Sequence, residues 1–203
     1  MDPRPTLTRQ KPGKTLSRET IVAAARRQVE AHGFEAVSLR AVARELEVTA
    51  PALYDHIDSK SDLLGLIAAK GYEELVARFS RIDAASPDER LRARAIGYVT
   101  FAVGCPELFR LMFQYRPVEM AIDVDNELDA ASRAFEASFA DISEMIKAGR
   151  LVDRDVVELS IMLWSAVHGV ATVAMMMPNT EYEGLAGDVI NAMLIGLHPA
   201  PGQ

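Results

Sequence analysis

The feature that most restricts the fold is the spacing of apolar residues, which recur at steps of three and four from Ser17 to nearly the end of the chain. This is the period of an α-helix with one apolar face, and the alternating β-branched runs typical of strands are missing. Ser17, Ser38 and Ser59 each precede such a stretch, and the segment from Ser86 to Glu89 has the spacing of a capping box. We therefore predict an all-α fold of nine helices without strands.

Capping signals and helix breakers give the expected boundaries. The first helix runs from Ser17 to a stop at His32-Gly33, and a short second helix runs from Ser38 to about Leu46. The later elements are expected to be a helix over 59–81 that opens on a capping box, a helix from 86–89 to Cys105, a helix over 106–114, a loop over 115–126, and helices over 127–149, 153–177 and 182–197, the last capped by Thr180.

Formal charge is unevenly distributed. Residues 1–60 contain ten Lys/Arg against eight Asp/Glu, whereas residues 61–203 carry the acidic excess behind the net charge of −7. The chain start is rich in Arg, Lys and Pro, a composition that suits either a flexible basic arm or a solvated tail without a role. We predict three parts: a flexible basic arm over 1–16, a small helical domain over 17–62 and a larger helical domain over 63–203.

Composition also restricts the chemistry. One cysteine, Cys105, excludes an internal disulfide, and the four histidines do not have the short spacings of a zinc site. No nucleophile has a neighbouring base in the sequence, and no glycine-rich phosphate loop is present, so we expect no enzyme, no cofactor and no metal site. The first residues lack the apolar core of a secretory signal, which predicts a cytoplasmic protein.

The run from Leu159 to Thr180 contains no charged residue, and its length would permit a membrane span. However, it contains polar residues such as Ser160 and Ser165, and acids rather than Lys or Arg flank it. A helix that is apolar all round is also typical of a buried or dimer-facing position. We predict burial and no membrane insertion.

A helix-turn-helix pattern lies within residues 39–57. Two short helices joined by a tight turn would bury the apolar positions of this stretch, which are Leu39, Val42, Ala43, Leu46, Val48, Leu53 and Ile57. The second helix would then present another set of residues outward, namely Thr49, Ala50, Ala52, Tyr54, Asp55 and His56. Such a helix lies in the major groove of DNA with its N-terminal residues toward the base edges.

Each outward residue has a chemical role and a plainer alternative. Thr49 can bond a phosphate or only cap its helix, and Pro51 stiffens the first helical turn. Tyr54 offers a ring to a thymine methyl group and a hydroxyl to a phosphate, or it packs against its own helix. His56 and Lys60, beside a new helix start, together form an anion site. In combination these residues favour DNA binding.

The stretch from Ser17 to Leu64, SRETIVAAARRQVEAHGFEAVSLRAVARELEVTAPALYDHIDSKSDLL, resembles the DNA-binding domain of TetR-type transcriptional regulators. The resemblance implies contacts with double-stranded DNA from Ser38, Arg40, Thr49, Tyr54, His56 and Lys60, and the second helix of the pattern adds Ala50 and Pro51 to the candidate contacts. Two positions depart from the family pattern. Glu47 occupies a turn where glycine is usual, which would cost roughly 1 kcal/mol in a left-handed conformation, and Asp55 places a carboxylate on the recognition helix.

The C-terminal part is similar to a subgroup with a Trp-His-Gly signature, here Trp164, His168 and Gly169, with YVTFAVGCPELFRLMF as the companion stretch. Aromatic, Met and polar residues of these segments form a candidate site for a mostly apolar small molecule: Phe101, Phe109, Met112, Phe113, Trp164, His168, Thr172 and Met175. The plainer alternative is an ordinary core, since Met and aromatic residues at helical spacing commonly pack there.

The last two helices are more apolar than a solvent-facing pair, so two copies of the chain could hide these surfaces in a four-helix bundle. With the resemblance, this implies a homodimeric regulator, usually a repressor, that binds a pseudo-palindromic operator and is released by a small-molecule effector. An alternative from a different class is an all-helical protein–protein interaction module that does not bind DNA.

Overall fold

A computed structural model describes residues 16–114, 131–177 and 181–200 of the chain. Within these ranges the chain is helical without strands, which confirms the predicted all-α class. The helices are α1 (Arg18–His32), α2 (Leu39–Glu45), α3 (Ala50–Leu53), α4 (Lys60–Phe79), α5 (Pro87–Gly104), α6 (Pro106–Gln114), α7 (Phe139–Lys147), α8 (Val156–Met176) and α9 (Tyr182–Gly196). Residues 131–136 are also helical. The predicted arm, apart from residue 16, and the predicted loop over 115–126 lie outside the described ranges.

Local capping explains where α1 begins and ends. The Ser17 hydroxyl accepts the Thr20 backbone N–H at 3.3 Å, and the Thr20 hydroxyl accepts the Ser17 backbone N–H at 3.0 Å, which forms a capping box. The helix stops at Gly33, whose φ of 80° suits glycine. Its predicted apolar face is buried as expected, with Ile21 and Val29 fully enclosed.

The capping boxes predicted at the starts of α4 and α5 differ in their hydrogen bonds. Ser86 and Glu89 exchange both bonds at the start of α5, with Pro87 in the first helical position. At α4, the Ser59 hydroxyl accepts the Asp62 N–H, but the Asp62 carboxylate accepts the N–H of Asp58 rather than that of Ser59. The start of α4 was therefore predicted correctly, but the reciprocal bond expected for a capping box is replaced by the bond to Asp58.

Helix α4 runs continuously through the predicted domain boundary at residues 62–63. It packs against α1 of the N-terminal unit and against α5 and α6. Helix α5 forms the centre of the C-terminal bundle, since it contacts α6, α7, α8 and α9. A helix rises about 1.5 Å per residue, so α4 extends roughly 30 Å from the helix-turn-helix unit into this bundle.

One predicted helix needs correction. The continuous helix expected over 127–149 is interrupted by a turn at 137–138, which sets the Phe135 and Phe139 rings edge to face at 5.4 Å and places Phe135 beside Trp164. The last helix begins at Tyr182 with Glu181 in the capping position, and no side-chain capping bond is present there. Thr180, the predicted cap, lies outside the described residues.

The apolar run predicted to be buried forms most of α8. By length and composition this helix could cross a membrane. One of its faces, however, packs in the protein core, with Leu159, Leu163 and Ala171 buried against neighbouring helices. The opposite face exposes apolar side chains, among them Val157, Ile161 and Val173. The predicted burial is therefore correct for one face of α8, while the other face is apolar and exposed.

Candidate nucleic-acid interface and interior cavity

The helix-turn-helix unit consists of α2, the turn over 46–49, and α3. The Val48 N–H donates to the Ala43 carbonyl at 2.9 Å and closes the turn, and Ala43 is buried where the two helices meet. Val42, Leu53 and Ile57 are buried as predicted, while Leu39, Leu46 and Val48 pack half-buried against the same core. The apolar pattern therefore positions the outward residues, because it fixes which face of the unit is inside.

The predicted DNA-contacting residues differ in exposure. Ser38, Arg40, Thr49 and Pro51 are exposed, and 56% of the Tyr54 side chain is accessible to solvent. Ala50, His56 and Lys60 are half-buried. An exposed aromatic ring of this size is free to contact a base or a sugar, because it contributes little to the core.

The recognition helix is shorter than the sequence suggests. Only Ala50–Leu53 is helical, and the N–H groups of Tyr54 and His56 bond carbonyls three residues back, in the tighter spacing of a turn. Tyr54 and His56 therefore extend from the turn after α3 rather than from the helix. Neither Ser38 nor Thr49 forms a side-chain capping bond, so both hydroxyls remain available to other acceptors or donors.

Two cations brace the segment after α3. The Lys60 ammonium donates to the Glu35 carbonyl at 2.9 Å, and the Arg18 guanidinium donates to the His56 carbonyl at 2.9 Å. These bonds tie the start of α4 and the turn after α3 to the first helix and its following loop. Because Asp62 and Ser59 already bond two N–H groups near the start of α4, the anion site predicted there has a carboxylate beside it.

The turn residue Glu47 has φ of 59°, a left-handed conformation for a non-glycine residue. The conformation predicted for this position is therefore present, and with it a strain of roughly 1 kcal/mol. Sequence reasoning missed Arg44, which is exposed on α2 one turn after Arg40. The signal was the spacing of two arginines four residues apart, which places both on one helix face.

A cavity of about 340 Å³ lies inside the C-terminal bundle. Its wall is mostly apolar and aromatic, and it is formed by α4, α5, residues 131–138, α8 and single residues of other helices. The described lining residues are Tyr72, Leu75, Phe79, Leu91, Arg94, Ala95, Tyr98, Phe113, Ala131, Ala134, Phe135, Ser138, Ile142, Ser160, Ile161, Leu163, Trp164, Val167 and Ile190. Size and lining are those of a site for a small, mostly apolar molecule.

The polar centre of the wall is the Tyr98 hydroxyl. It accepts the Trp164 indole N–H at 3.2 Å, and it lies 2.8 Å from His168 Nδ1. Burial raises the pKa of the Tyr98 hydroxyl well above its ordinary value and lowers the pKa of His168 below its own. Both groups are therefore neutral near pH 7, and a hydrogen bond rather than an ion pair joins them.

The predicted ligand residues occupy three different places. Phe113 and Trp164 line the cavity, and His168 lies one layer behind, bonded to Tyr98 and stacked on the Phe109 ring at 5.6 Å. Phe101 and Met112 lie elsewhere in the core: Phe101 is covered by the Arg78 guanidinium, and Met112 packs against Gly71. Thr172 and Met175 line a separate recess of about 510 Å³ beside the α1–α2 connection.

Tyr98 and Arg94 were not predicted as site residues. Arg94 lines the cavity, and its guanidinium is paired with Asp141, whose side chain is only 5% exposed. The same carboxylate accepts from Arg90 at 2.6 Å, and Arg90 also reaches Glu144 at 3.2 Å. This four-residue group, which we term the charge cluster, joins α5 to α7. Its members are about fifty residues apart in the chain, so no local pattern indicates it.

Helix α6 connects the cavity with the helix-turn-helix unit. Phe113, near its end, lines the cavity, while α6 as a whole packs against α1 and α4. The Tyr72 hydroxyl donates to the Met112 carbonyl at 2.8 Å, which fixes α6 to α4. At the other end, the Glu107 carboxylate lies close to the backbone of Gly33, directly after α1. A shift of α6 would therefore change contacts both at the cavity and beside the helix-turn-helix unit.

An exposed helix-turn-helix unit joined by a continuous helix to a bundle with an interior cavity is the architecture of a DNA-binding transcriptional regulator. Comparison with known families agrees. Residues 21–67 match the family described as "Bacterial regulatory proteins, tetR family", and residues 91–179 match the "Tetracyclin repressor-like, C-terminal domain". The chain belongs to the tetR family of bacterial regulatory proteins.

One curated relative is similar in sequence over most of the chain, and two solved structures share the fold. An uncharacterized HTH-type transcriptional regulator of Mycobacterium tuberculosis is 24% identical over 90% of this chain and 82% of its own length. A protein of unknown function from Rhodococcus sp. RHA1 is similar in structure, with a TM-score of 0.81, 24% identity, and coverage of 94% of this chain and all of that one. The regulator FadR from Bacillus subtilis, solved with stearoyl-CoA, has a TM-score of 0.72 at 16% identity over 89% and 99% of the two chains.

Proposed function

We propose that the protein acts in the cytoplasm as a homodimeric repressor that binds a pseudo-palindromic operator and is released by a small, mostly apolar effector. Residues 17–62 would form the DNA-binding domain and residues 63–203 the effector-binding and dimerisation domain. The observation that carries this proposal is the geometry of α4. One uninterrupted helix begins at Lys60, beside the outward residues of the helix-turn-helix unit, and contributes Tyr72, Leu75 and Phe79 to the cavity wall.

The DNA contacts would come from the exposed side of the helix-turn-helix unit. We assign base contacts to Tyr54, Pro51 and Ala50, and backbone contacts to Ser38, Thr49 and Arg40, with His56 and Lys60 at the following turn. We add Arg44, because its position one turn after Arg40 extends the same cationic edge. If the basic arm over residues 1–16 also contacts phosphates, the affinity for DNA will fall more steeply with salt.

Dimerisation would use the outer faces of α8 and α9. Both helices expose apolar side chains on the side that faces away from the core, including Val157 and Val173 on α8 and Leu185 and Ile195 on α9. Gly169 and Gly184 are exposed with open space around them, which would permit close approach of a second copy. A two-fold dimer places two recognition helices in successive major grooves only at one spacing.

Release would follow from differential binding of the effector. An effector that fits the cavity better when α4 and α6 are displaced would favour the conformation in which the two recognition helices no longer match the groove spacing. FadR from Bacillus subtilis, a regulator of similar fold, was solved in complex with stearoyl-CoA, which supports a small-molecule effector here.

The direct test is binding of the purified protein to DNA that flanks its own gene. We expect a retarded complex containing two copies of the chain, and an affinity that falls steeply as salt is raised from 50 to 200 mM, about 10³-fold or more for six or more phosphate contacts. Sedimentation of the free protein should show the dimer. A protein that binds neither this DNA nor random fragments of its own genome would contradict the proposal.

A further inference from the structure

The cavity wall contains charge that is already neutralised. Arg94 is the one ionisable residue with a formal charge at neutral pH among the described lining residues. Its guanidinium is paired with Asp141, and the charge cluster as a whole has two cations and two carboxylates. The Arg94 Nε–H is buried without a hydrogen-bond partner, so it can donate to a ligand oxygen, but Asp141 already balances the charge of this cation. A ligand carboxylate or phosphate would therefore meet no excess positive charge in the described wall, and burying an uncompensated anion is costly.

The wall also has a hydrogen-bonding position that remains open. A phenol has one O–H donor and two acceptor lone pairs, and Tyr98 uses one lone pair for Trp164. If the Tyr98 hydroxyl donates to His168 Nδ1, one lone pair remains; if His168 donates instead, the O–H remains. A ligand hydroxyl fits both cases because it can donate or accept, whereas a carboxylate can only accept.

A second polar position supports the same ligand chemistry. Ser138 lines the cavity, and its hydroxyl forms no side-chain capping bond at the start of α7. By contrast, the Ser160 hydroxyl, also in the wall, is occupied by the Val156 carbonyl at 2.7 Å. The cavity therefore offers neutral hydrogen-bonding groups at Tyr98 and Ser138, on otherwise apolar walls.

The shape of the wall favours flat molecules. Phe113 and Phe135 each lie 6.3 Å from the Trp164 ring centre, and Tyr98 stands edge to face against Phe113 at 6.0 Å. These rings contact one another and together form an aromatic wall, and stacked or edge-to-face contacts would stabilise a ring that lies against it. A volume of about 340 Å³ is near the lower end of small-molecule sites, which suits one or two fused rings.

We propose that the cavity binds an uncharged aromatic molecule that carries a hydroxyl group, anchored on Tyr98, and that it discriminates against carboxylates and other anions. The proposal rests on the proposed function for its meaning as an effector, but its chemistry follows from the wall alone. It separates this chain from a regulator that takes an acyl-coenzyme A, because the charge cluster offers no free cation to a phosphate.

The test is calorimetric titration of the full-length protein at pH 7, without DNA, with two ligands of the same ring system. 2-Naphthol is uncharged and has a hydroxyl, whereas 2-naphthoate is an anion. We expect 2-naphthol to bind at least tenfold more tightly than 2-naphthoate. Equal or tighter binding of 2-naphthoate would overturn the proposal, and so would the absence of 2-naphthol binding to the folded protein.

Two variants locate the discrimination. Tyr98→Phe keeps the ring and removes the hydroxyl, so the affinity for 2-naphthol should fall about three- to tenfold. An unchanged affinity in this variant would overturn the anchor. The control is Val103→Ala, on the exposed surface of α5 and outside the cavity lining, which should leave both affinities unchanged within about twofold; an equal loss in this variant would show that the effect of Tyr98→Phe is not due to the hydroxyl. Thermal melting of each variant checks that the cavity is still folded.

The outcome is separable from that of the proposed function. If 2-naphthol binds as expected but does not lower the affinity for DNA in a parallel retardation assay, the ligand chemistry stands and the effector-release mechanism fails. If the protein binds DNA but prefers 2-naphthoate, the regulator stands and the ligand assignment fails.

Discussion

The two regions of the molecule assemble their surfaces in opposite ways. The candidate DNA interface comes from one contiguous stretch, residues 38–60, in which buried apolar positions alternate with exposed polar ones. The cavity collects residues from Tyr72 to Ile190, and its wall is defined only when several helices pack together. A surface built from consecutive residues can be altered without loss of stability, whereas a surface built from the core cannot.

The stabilising charges differ in the same way. In the N-terminal unit, Arg27 and Glu45 pair at 2.6 Å with both side chains substantially exposed. In the C-terminal bundle, Asp141 is nearly inaccessible and holds both Arg90 and Arg94. Exposed pairs are worth little because water and salt screen them, while removing one partner of a buried group leaves uncompensated charge.

Substitution of Asp141 should therefore have the largest effect on stability. Asp141→Ala is expected to lower the free energy of unfolding by about 3–5 kcal/mol, since Arg90 and Arg94 lose their shared carboxylate. The matched control in the other region is Glu45→Ala, which should cost less than about 1 kcal/mol. Urea unfolding of both variants measures the difference, and similar costs would show that the two regions are not distinguished by burial of charge.

The contact between the regions can be tested at Gly71. A Cβ at this position would lie 2.5 Å from Met112 Sδ and 3.3 Å from a Leu108 methyl carbon, so Gly71→Ala requires the buried Met112 side chain to move and should lower stability. The control is Gly104→Ala at the end of α5, where no atom lies within 4 Å of an added Cβ. We expect the two variants to differ by about 1–3 kcal/mol in unfolding free energy. Equal stability would mean that the contact yields without cost.

A smaller effect of opposite sign is expected at Glu47. Glu47→Gly removes the left-handed strain of the turn and should stabilise the protein by about 1 kcal/mol or slightly less, given the entropy that glycine loses on folding. The variant also removes a carboxylate from the turn of the helix-turn-helix unit, so DNA affinity should not fall. A higher melting temperature is the expected result, and a lower one would contradict the assignment of strain.

The smallest effect is a pH dependence from the cavity region. Because burial lowers the pKa of His168, the unfolded chain binds a proton at this residue more readily than the folded one. Stability from this group is therefore complete above about pH 6.5, the ordinary value for histidine, and is lost as pH falls toward the folded-state pKa. His168→Gln should flatten the slope of unfolding free energy against pH in this range, and an identical slope would count against the buried neutral ring.

Much of the fold was predictable because helix boundaries depend on local signals. The start of α1 at Ser17 and of α5 at Ser86, and the break at Cys105-Pro106, are encoded in three or four consecutive residues. The interruption at 137–138 was not predictable, since no glycine or proline marks it. The contact that accompanies it, between the Phe135 and Trp164 rings, joins residues far apart in the chain. Local rules describe caps well and tertiary packing poorly.

The candidate site shows the same contrast. The outward residues of the helix-turn-helix unit could be named from the apolar pattern alone, and the structure places Thr49 and Tyr54 on its exposed side. For the cavity, sequence reasoning identified Phe113 and Trp164 but placed Phe101 with them, although its ring packs under Arg78. Tyr98 lies one turn before Phe101 on α5, and only the packing of α5 against its neighbours decides which of the two faces the cavity.

The central claim is that the exposed side of the helix-turn-helix unit reads DNA and contributes little to folding. The most direct test is Tyr54→Ala, with DNA affinity and melting temperature measured on the same preparation, and Val103→Ala on exposed α5 surface as control. We predict that Tyr54→Ala weakens binding to the operator by about 1–3 kcal/mol while its melting temperature stays within about 2 °C of the parent. A Tyr54→Ala protein that binds the operator as tightly as the parent would contradict the claim.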